Sequence, residues 1–199
     1  MDAKTTAIVL IGYQNDYFSN NGVLHAVVGD TARSIGVLPN TIDMLERLQH
    51  TDAMLVTTPI IFTSNYEELI DPVGILKAVK EAGAFKKGTK GAENIPEILQ
   101  FGKRIANVPG KRGLNAFTDT RLEAIFKKRG IKDVVIAGAV TSICIDSTAR
   151  AAFEKGFRVT ILADCTCGRT ILEQEFYCEK VFPLYASVMD HNQLLEQLG

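Results

Sequence analysis

The apolar run Ala7-Ile8-Val9-Leu10-Ile11 stops at Gly12, and the polar cluster Tyr13-Gln14-Asn15-Asp16-Tyr17-Phe18 follows at once. Comparable runs rich in β-branched and aliphatic residues recur at 53–62, 104–108, 133–140 and 158–164, with a weaker one at 181–188. They are continuous rather than alternating, which suits strands buried on both faces of a parallel sheet. Between them the period changes to that of a helix. Ile42, Leu45 and Leu48 mark 31–50, with Pro39 expected to start its second part. A second helix is expected over 66–83, closed by Gly83. A third runs over 118–130, from a Thr/Asp cap to Gly130. Ile145, Ala149, Ala152 and Phe153 form a stripe in 143–156, and a short helix closes the chain at 190–199. Strand and helix alternate throughout. That order predicts an α/β fold, a doubly wound, mostly parallel sheet with helices on both faces, in one domain over 1–199. The stretch 83–96 is expected as a polar surface loop.

Composition adds exclusions. The 199 residues are 46% hydrophobic and 23% charged, with a net charge of -1. Such a balance gives no reason to expect nucleic acid or an anionic membrane as partner. The basic clusters at Lys86, Lys87 and Lys90, and at Lys127, Lys128 and Arg129, are expected on loops and helix ends. No apolar run reaches the ~20 residues of a membrane-spanning helix, and the opening residues do not read as a signal peptide. The four cysteines, Cys144, Cys165, Cys167 and Cys178, are not spaced as a disulfide framework, so reduced thiols and a cytoplasmic location are expected.

Chemistry is expected beyond the C-terminal ends of the strands. Cys144 stands where the strand ending near Gly138 turns through Thr141 and Ser142 into a helix. The partial positive charge and free N–H groups of a helix start favour a thiolate there, and can hold an oxyanion formed by its attack on a carbonyl. The competing reading makes Cys144 a small core residue. Lys111, after another strand end, can steady negative charge at such a sulfur; Arg112 beside it is the alternative. Cys165 and Cys167 read as strand-end thiols, and Cys178 as buried in a helix. His50 and His191 read as surface residues, and His25 as a loop residue able to approach the site.

Three blocks carry a resemblance: QNDYF after the first strand, Lys111 to Phe117 (KRGLNAF) before Thr118-Asp119-Thr120, and Ala137 to Ile145 (AGAVTSICI) before Thr148-Ala149-Arg150-Ala151-Ala152. In these the chain resembles the isochorismatase-like cysteine hydrolases, which include nicotinamidases, N-carbamoylsarcosine amidases and isochorismatases. The resemblance implies a six-stranded parallel sheet in three α/β/α layers and a homo-oligomer, dimer or tetramer. It implies an Asp, Lys and Cys triad, no organic cofactor and a small-molecule substrate. Carried over by position, Cys144 is the nucleophile and Lys111 the triad lysine. The resemblance further implies a cis peptide between Ala139 and Val140, and an oxyanion hole from the N–H groups of Val140 and Cys144.

The triad acid falls on Gly12, which has no side chain to serve. Three consequences stand open: a thiolate held by Lys111 without a base, a substitute carboxylate, or a substrate that brings its own acid or base. Asp16 is nearest in sequence, although about 13 Å of extended chain separates the two positions. Nicotinamidases of this superfamily hold a metal through an Asp-x-His run after the second strand. Residues 57–63 here contain no histidine, so no metal is expected and nicotinamide is disfavoured as substrate. The leading expectation is hydrolysis of a C–N amide bond through a Cys144 thioester. The alternatives are a catalytically impaired pseudoenzyme that binds a small molecule or protein, a vinyl-ether hydrolase of the isochorismatase kind, and an unrelated doubly wound binding protein.

Overall fold

A computed structural model describes residues 1–199. Six strands, β1 (Thr6–Ile11), β2 (Met54–Thr57), β3 (Ile105–Asn107), β4 (Asp133–Ala139), β5 (Arg158–Cys167) and β6 (Ser187–Met189), form one sheet. Every neighbouring pair is parallel, and the order is β3-β2-β1-β4-β5-β6. Helices cover both sides: α1 (Asn15–Phe18), α2 (His25–Ile35), α3 (Val37–Leu48), α4 (Gly74–Ala82), α5 (Pro96–Leu99), α6 (Leu122–Arg129), α7 (Asp146–Glu154), α8 (Ile171–Phe176) and α9 (His191–Leu198). β1 and β4 are buried along their whole length, which is why their sequences show no polar alternation.

Local chemistry sets the boundaries, and several differ from expectation. Pro59 follows the second strand closely, and β2 ends at Thr57 rather than running on to 62. In the expected helix 66–83, Tyr66 and Asp71 adopt φ values of 54° and 45° and Pro72 follows, so only Gly74–Ala82 is helical. Gly36, at φ 80°, separates α2 from α3, so the break comes before Pro39. Helix α2 begins at His25, within a stretch read as loop because Val27, Val28 and Gly29 are weak helix formers. The weak run 181–188 yields only β6, preceded by helical turns over Tyr177–Leu184.

The strand order reverses between β1 and β4, since β1 is followed outward by β2 and β4 by β5. At that switch point the two backbones are unusually close. Ile11 pairs with Gly138, where φ is 122° and a Cβ would stand 1.8 Å from the Ile11 carbonyl oxygen. Gly12 repeats the constraint from the other side: its φ is 74°, and a Cβ would stand 2.8 Å from the Ala139 carbonyl oxygen. Only glycine occupies such positions without displacing backbone. Gly138→Ala is therefore expected to lower unfolding free energy by about 4 kcal/mol or more, measured by urea denaturation. A variant as stable as the native chain would contradict this packing.

Candidate functional site

The residues after β1 build a clasp. Gln14, fully buried, donates from Nε2 to the Ile60 and Ala92 carbonyls at 2.8 and 2.7 Å, and its Oε1 accepts from Ile60 N at 2.8 Å. Asn15 Nδ2 donates to the Lys90 and Glu93 carbonyls. Asp16 Oδ2 accepts from Phe85 N at 2.7 Å. The stretch 83–96 is thus strapped to the strand end by three successive side chains. It is less a free surface loop than a tied-down segment, with Ala84, Phe85 and Ala92 buried. Asp16, the substitute acid considered from sequence, is engaged by that segment: its carboxylate is turned to the Phe85 amide.

The same clasp positions Lys111. Ile60, gripped by Gln14, forms a parallel bridge with Lys111, and Ile61 N donates to the Lys111 carbonyl at 3.4 Å. Lys111 is fully buried. Its Nζ donates to the Gly113 carbonyl at 2.6 Å and lies 3.4 Å from Cys144 Sγ. Arg112 points outward and pairs with Glu68, so the structure separates the two basic candidates.

Cys144 arrives from the other side of the switch point. After the cis peptide between Ala139 and Val140, a π-helical turn over Thr141–Ile145 leads into α7. Side chains anchor the turn: Thr141 Oγ1 bonds to Gln174 Oε1 and Ser142 Oγ to Glu173 Oε1. Thr148 on α7 accepts from Ala116 N at 3.1 Å, tying the Lys111 loop to the helix. The Val140 carbonyl accepts from Ile143 N and Ile145 N. The sulfur thus sits in the turn that opens a helix, a layout suited to developing negative charge. The sulfur's residue is only 4% exposed. A cavity of about 540 Å³ lies over the same turn, lined by Leu114, Ser142 and Ile143 among others, and Cys144 is not part of its lining.

The remaining thiols differ. Burial pushes Cys167 up to about 12 and Cys178 up to about 11, and raises Cys165 further. Cys165 and Cys167 lie within β5 and are buried; Cys178 is half-buried. All four cysteines are free.

His191 requires a correction: it is buried, not a surface residue. Its N and Nδ1 engage the two oxygens of Asp164 at 3.0 and 2.5 Å, and its Nε2 lies 3.3 Å from Asp43, so it locks the start of α9 to β5. Asp164, Cys165 and His191 bring potential metal-ligating atoms within 4.8 Å of one another, but both Asp164 oxygens already serve this lock. His25 opens α2, and its Nδ1 meets the Tyr17 carbonyl at 3.1 Å.

Sequence reading missed two groups. Thr58 Oγ1, just beyond β2, is fully buried without a hydrogen-bond partner. Tyr17 packs its ring against the bare strand end at Gly12. Neither residue type announces such a position, because both are ordinary core components.

Comparison with known proteins places this geometry. The chain is 29% identical over 166 residues to Nicotinamidase 3 of Arabidopsis thaliana, covering 83% of this chain and 74% of that one. It is 24% identical to a ureidoacrylate amidohydrolase of Rhizobium rhizogenes, over 93% of this chain and 81% of the relative. Among solved structures, a cysteine hydrolase from Pseudomonas syringae superposes with a TM-score of 0.86 at 15% identity, covering 100% of this chain and 94% of the other. N-carbamoylsarcosine amidase from Thermoplasma acidophilum gives 0.74 at 21%, covering 96% and 98%. Residues 6–193 match the isochorismatase domain, and the chain belongs to the isochorismatase family of hydrolases.

Proposed function

We propose that this protein is a cysteine hydrolase that cleaves a C–N amide bond of a small molecule through a thioester on Cys144. The observation that carries the reading is the Lys111 Nζ to Cys144 Sγ contact of 3.4 Å, made by a lysine with no exposed surface. Burying a cation is costly unless an opposite charge or strong acceptors meet it. Of its two partners, the Gly113 carbonyl is neutral and the sulfur is the one able to carry negative charge. The pair favours a thiolate held by an ammonium, with no separate base needed for the first attack.

In this reading Sγ bonds to the substrate carbonyl carbon, and the displaced electron pair moves to oxygen. The Val140 and Cys144 N–H groups face that oxyanion. Collapse breaks the C–N bond and leaves the thioester. Water then cleaves the thioester, releasing a carboxylic acid and restoring the sulfur. The family relatives named for nicotinamide, ureidoacrylate and N-carbamoylsarcosine chemistry support a small amide or ureide as substrate class.

Gly12 bears on efficiency. Its positive φ and its distance to the Ala139 oxygen make glycine the residue that the local backbone accepts, beyond its lack of a carboxylate. Restoring an acid there is not a simple gain. Gly12→Asp is expected to lose about 1–3 kcal/mol of stability without raising turnover, read by urea denaturation and rate assays. A faster enzyme of unchanged stability would contradict this account. For the function itself, nicotinamide, ureidoacrylate and N-carbamoylsarcosine are offered to the native chain and to Cys144→Ala. The expected outcome is ammonia release with at least one of them and an acid-trapped acyl adduct by intact mass, both lost in the variant. Ammonia release that survives Cys144→Ala, or its absence with all three, would overturn the proposal.

A further inference from the structure

Strand β5 does not run evenly beside β4. Ile136 pairs with Ile161, but Gly138 pairs with Thr166, so residues 162–165 of β5 bow out opposite Ala137 alone. A bow inside a buried sheet takes backbone carbonyls out of the ladder, and each then needs another donor. Side chains meet them one after another. Thr166 Oγ1 donates to the Leu162 carbonyl at 2.8 Å, and Gln174 Nε2 to that of Ala163 at 2.9 Å. Asn40 Nδ2 donates to the Asp164 carbonyl at 2.9 Å, and Tyr13 Oη to that of Cys165 at 3.1 Å. Beyond the bow the strands rejoin, with Gly138 against Thr166 and Ala139 against Cys167. The turn that carries Cys144 departs from that point.

Gln174, on α8, touches the bow, the rejoined strand and the turn. Its Nε2 meets the Ala163 carbonyl, Thr166 Oγ1 at 3.0 Å and Cys178 Sγ at 3.3 Å, and its Oε1 accepts from Thr141 Oγ1. The partners fix which way the amide faces. A carbonyl only accepts, and the Thr166 hydroxyl already uses its hydrogen on Leu162, so the NH2 end faces β5 and the oxygen faces Thr141. Thr141 and Thr166 are fully buried, and Gln174 is 5% exposed. Ser142, the next residue of the turn, is tied to Glu173 instead, whose other oxygen is held by the exposed Arg169. Water can replace a bond at that outer tie. The Thr141 hydroxyl is sealed, so loss of its acceptor leaves it unpaired.

We propose that Gln174 is a positioning residue for the nucleophile: through Thr141 it sets the turn so that Cys144 Sγ stays in contact with Lys111. This rests on the hydrolase reading above. The 3.4 Å contact joins groups from two sides of the strand reversal. On the lysine side the Gln14 clasp fixes it. On the sulfur side it depends on where the turn leaves β4, and Thr141 is the first residue of that turn. Gln174 refers this residue to β5, so the bow and the nucleophile turn move as one piece. Without the amide the turn is free to shift. A misplacement of about 1 Å is enough to cost about 100-fold in a reaction that depends on such a contact.

The test follows iodoacetamide labelling of each cysteine by peptide mass across a pH series, in the native chain and in variants. Thr141→Val removes the hydroxyl at nearly constant shape and leaves the bonds of Gln174 to β5 in place. Gln174→Met removes them all. In both, Cys144 is expected to react about 10-fold more slowly at pH 7, with its profile moved toward the ordinary thiol range. Thr141→Ser keeps the hydroxyl and is expected to restore the native profile. The double variant is expected to label Cys144 no more slowly than Gln174→Met alone. Loss of stability by itself would speed labelling, and of Cys165 and Cys167 as well. If Gln174→Met shows that pattern, Thr141→Val decides. A native-like profile in Thr141→Val overturns the inference, as do a Thr141→Ser variant as slow as Thr141→Val and losses that multiply in the double variant. A native Cys144 that labels no faster than the other cysteines instead removes the hydrolase reading, and this inference with it.

Discussion

A lysine amine with no solvent contact, resting on one carbonyl and one sulfur, is the interaction on which the rest of the site depends. Such a group is tolerated only if its surroundings answer its charge. The structure commits much of its polar machinery to placing it. Gln14 holds Ile60, Ile60 bridges to Lys111, and Thr148 holds the loop that follows Lys111 against α7. The sulfur is presented from β4 by a π-helical turn whose first two hydroxyls are tied down by α8. Each partner thus comes from a different side of the strand reversal between β1 and β4, the crevice in which open α/β sheets place their ligands.

That crevice is narrow, and the narrowness explains the feature of the sequence that first looks like a defect. Gly12 and Gly138 interlock, each lacking a side chain where the opposing carbonyl approaches. A carboxylate at the end of β1 would need both a different backbone conformation and room that the Ala139 oxygen now takes. Glycine at the end of β1 is therefore what the backbone requires, and the ring of Tyr17 lies against it.

Much of the fold was legible because buried parallel strands write themselves as continuous apolar runs. β1 and β4 show this best, since every residue in them is buried. The parallel order followed from alternation with helices. What was not legible depended on tertiary contacts. Helix α2 has weak intrinsic propensity and is held by its packing on α1, α3 and β5. His191 reads as polar and terminal, but Asp164 draws it inside. The QNDYF run carries part of the family resemblance, but its role as a clasp on 83–96 depends on which distant carbonyls and amides face it. Lys111 and Arg112 are neighbours that sequence could rank only by resemblance, and the direction of each side chain distinguishes them.

The central claim is that contact with Lys111 makes Cys144 the reactive thiol of this chain. Its most direct test is site-resolved alkylation. The native protein is treated briefly with iodoacetamide at pH 7, and each cysteine is quantified by peptide mass. The account predicts that Cys144 is modified first despite its burial, and that Lys111→Met removes this preference. Cys178, half-buried and shifted to about 11, should lag behind, as should Cys165 and Cys167. Modification of Cys178 ahead of an inert Cys144, or a Cys144 rate indifferent to Lys111, would contradict it.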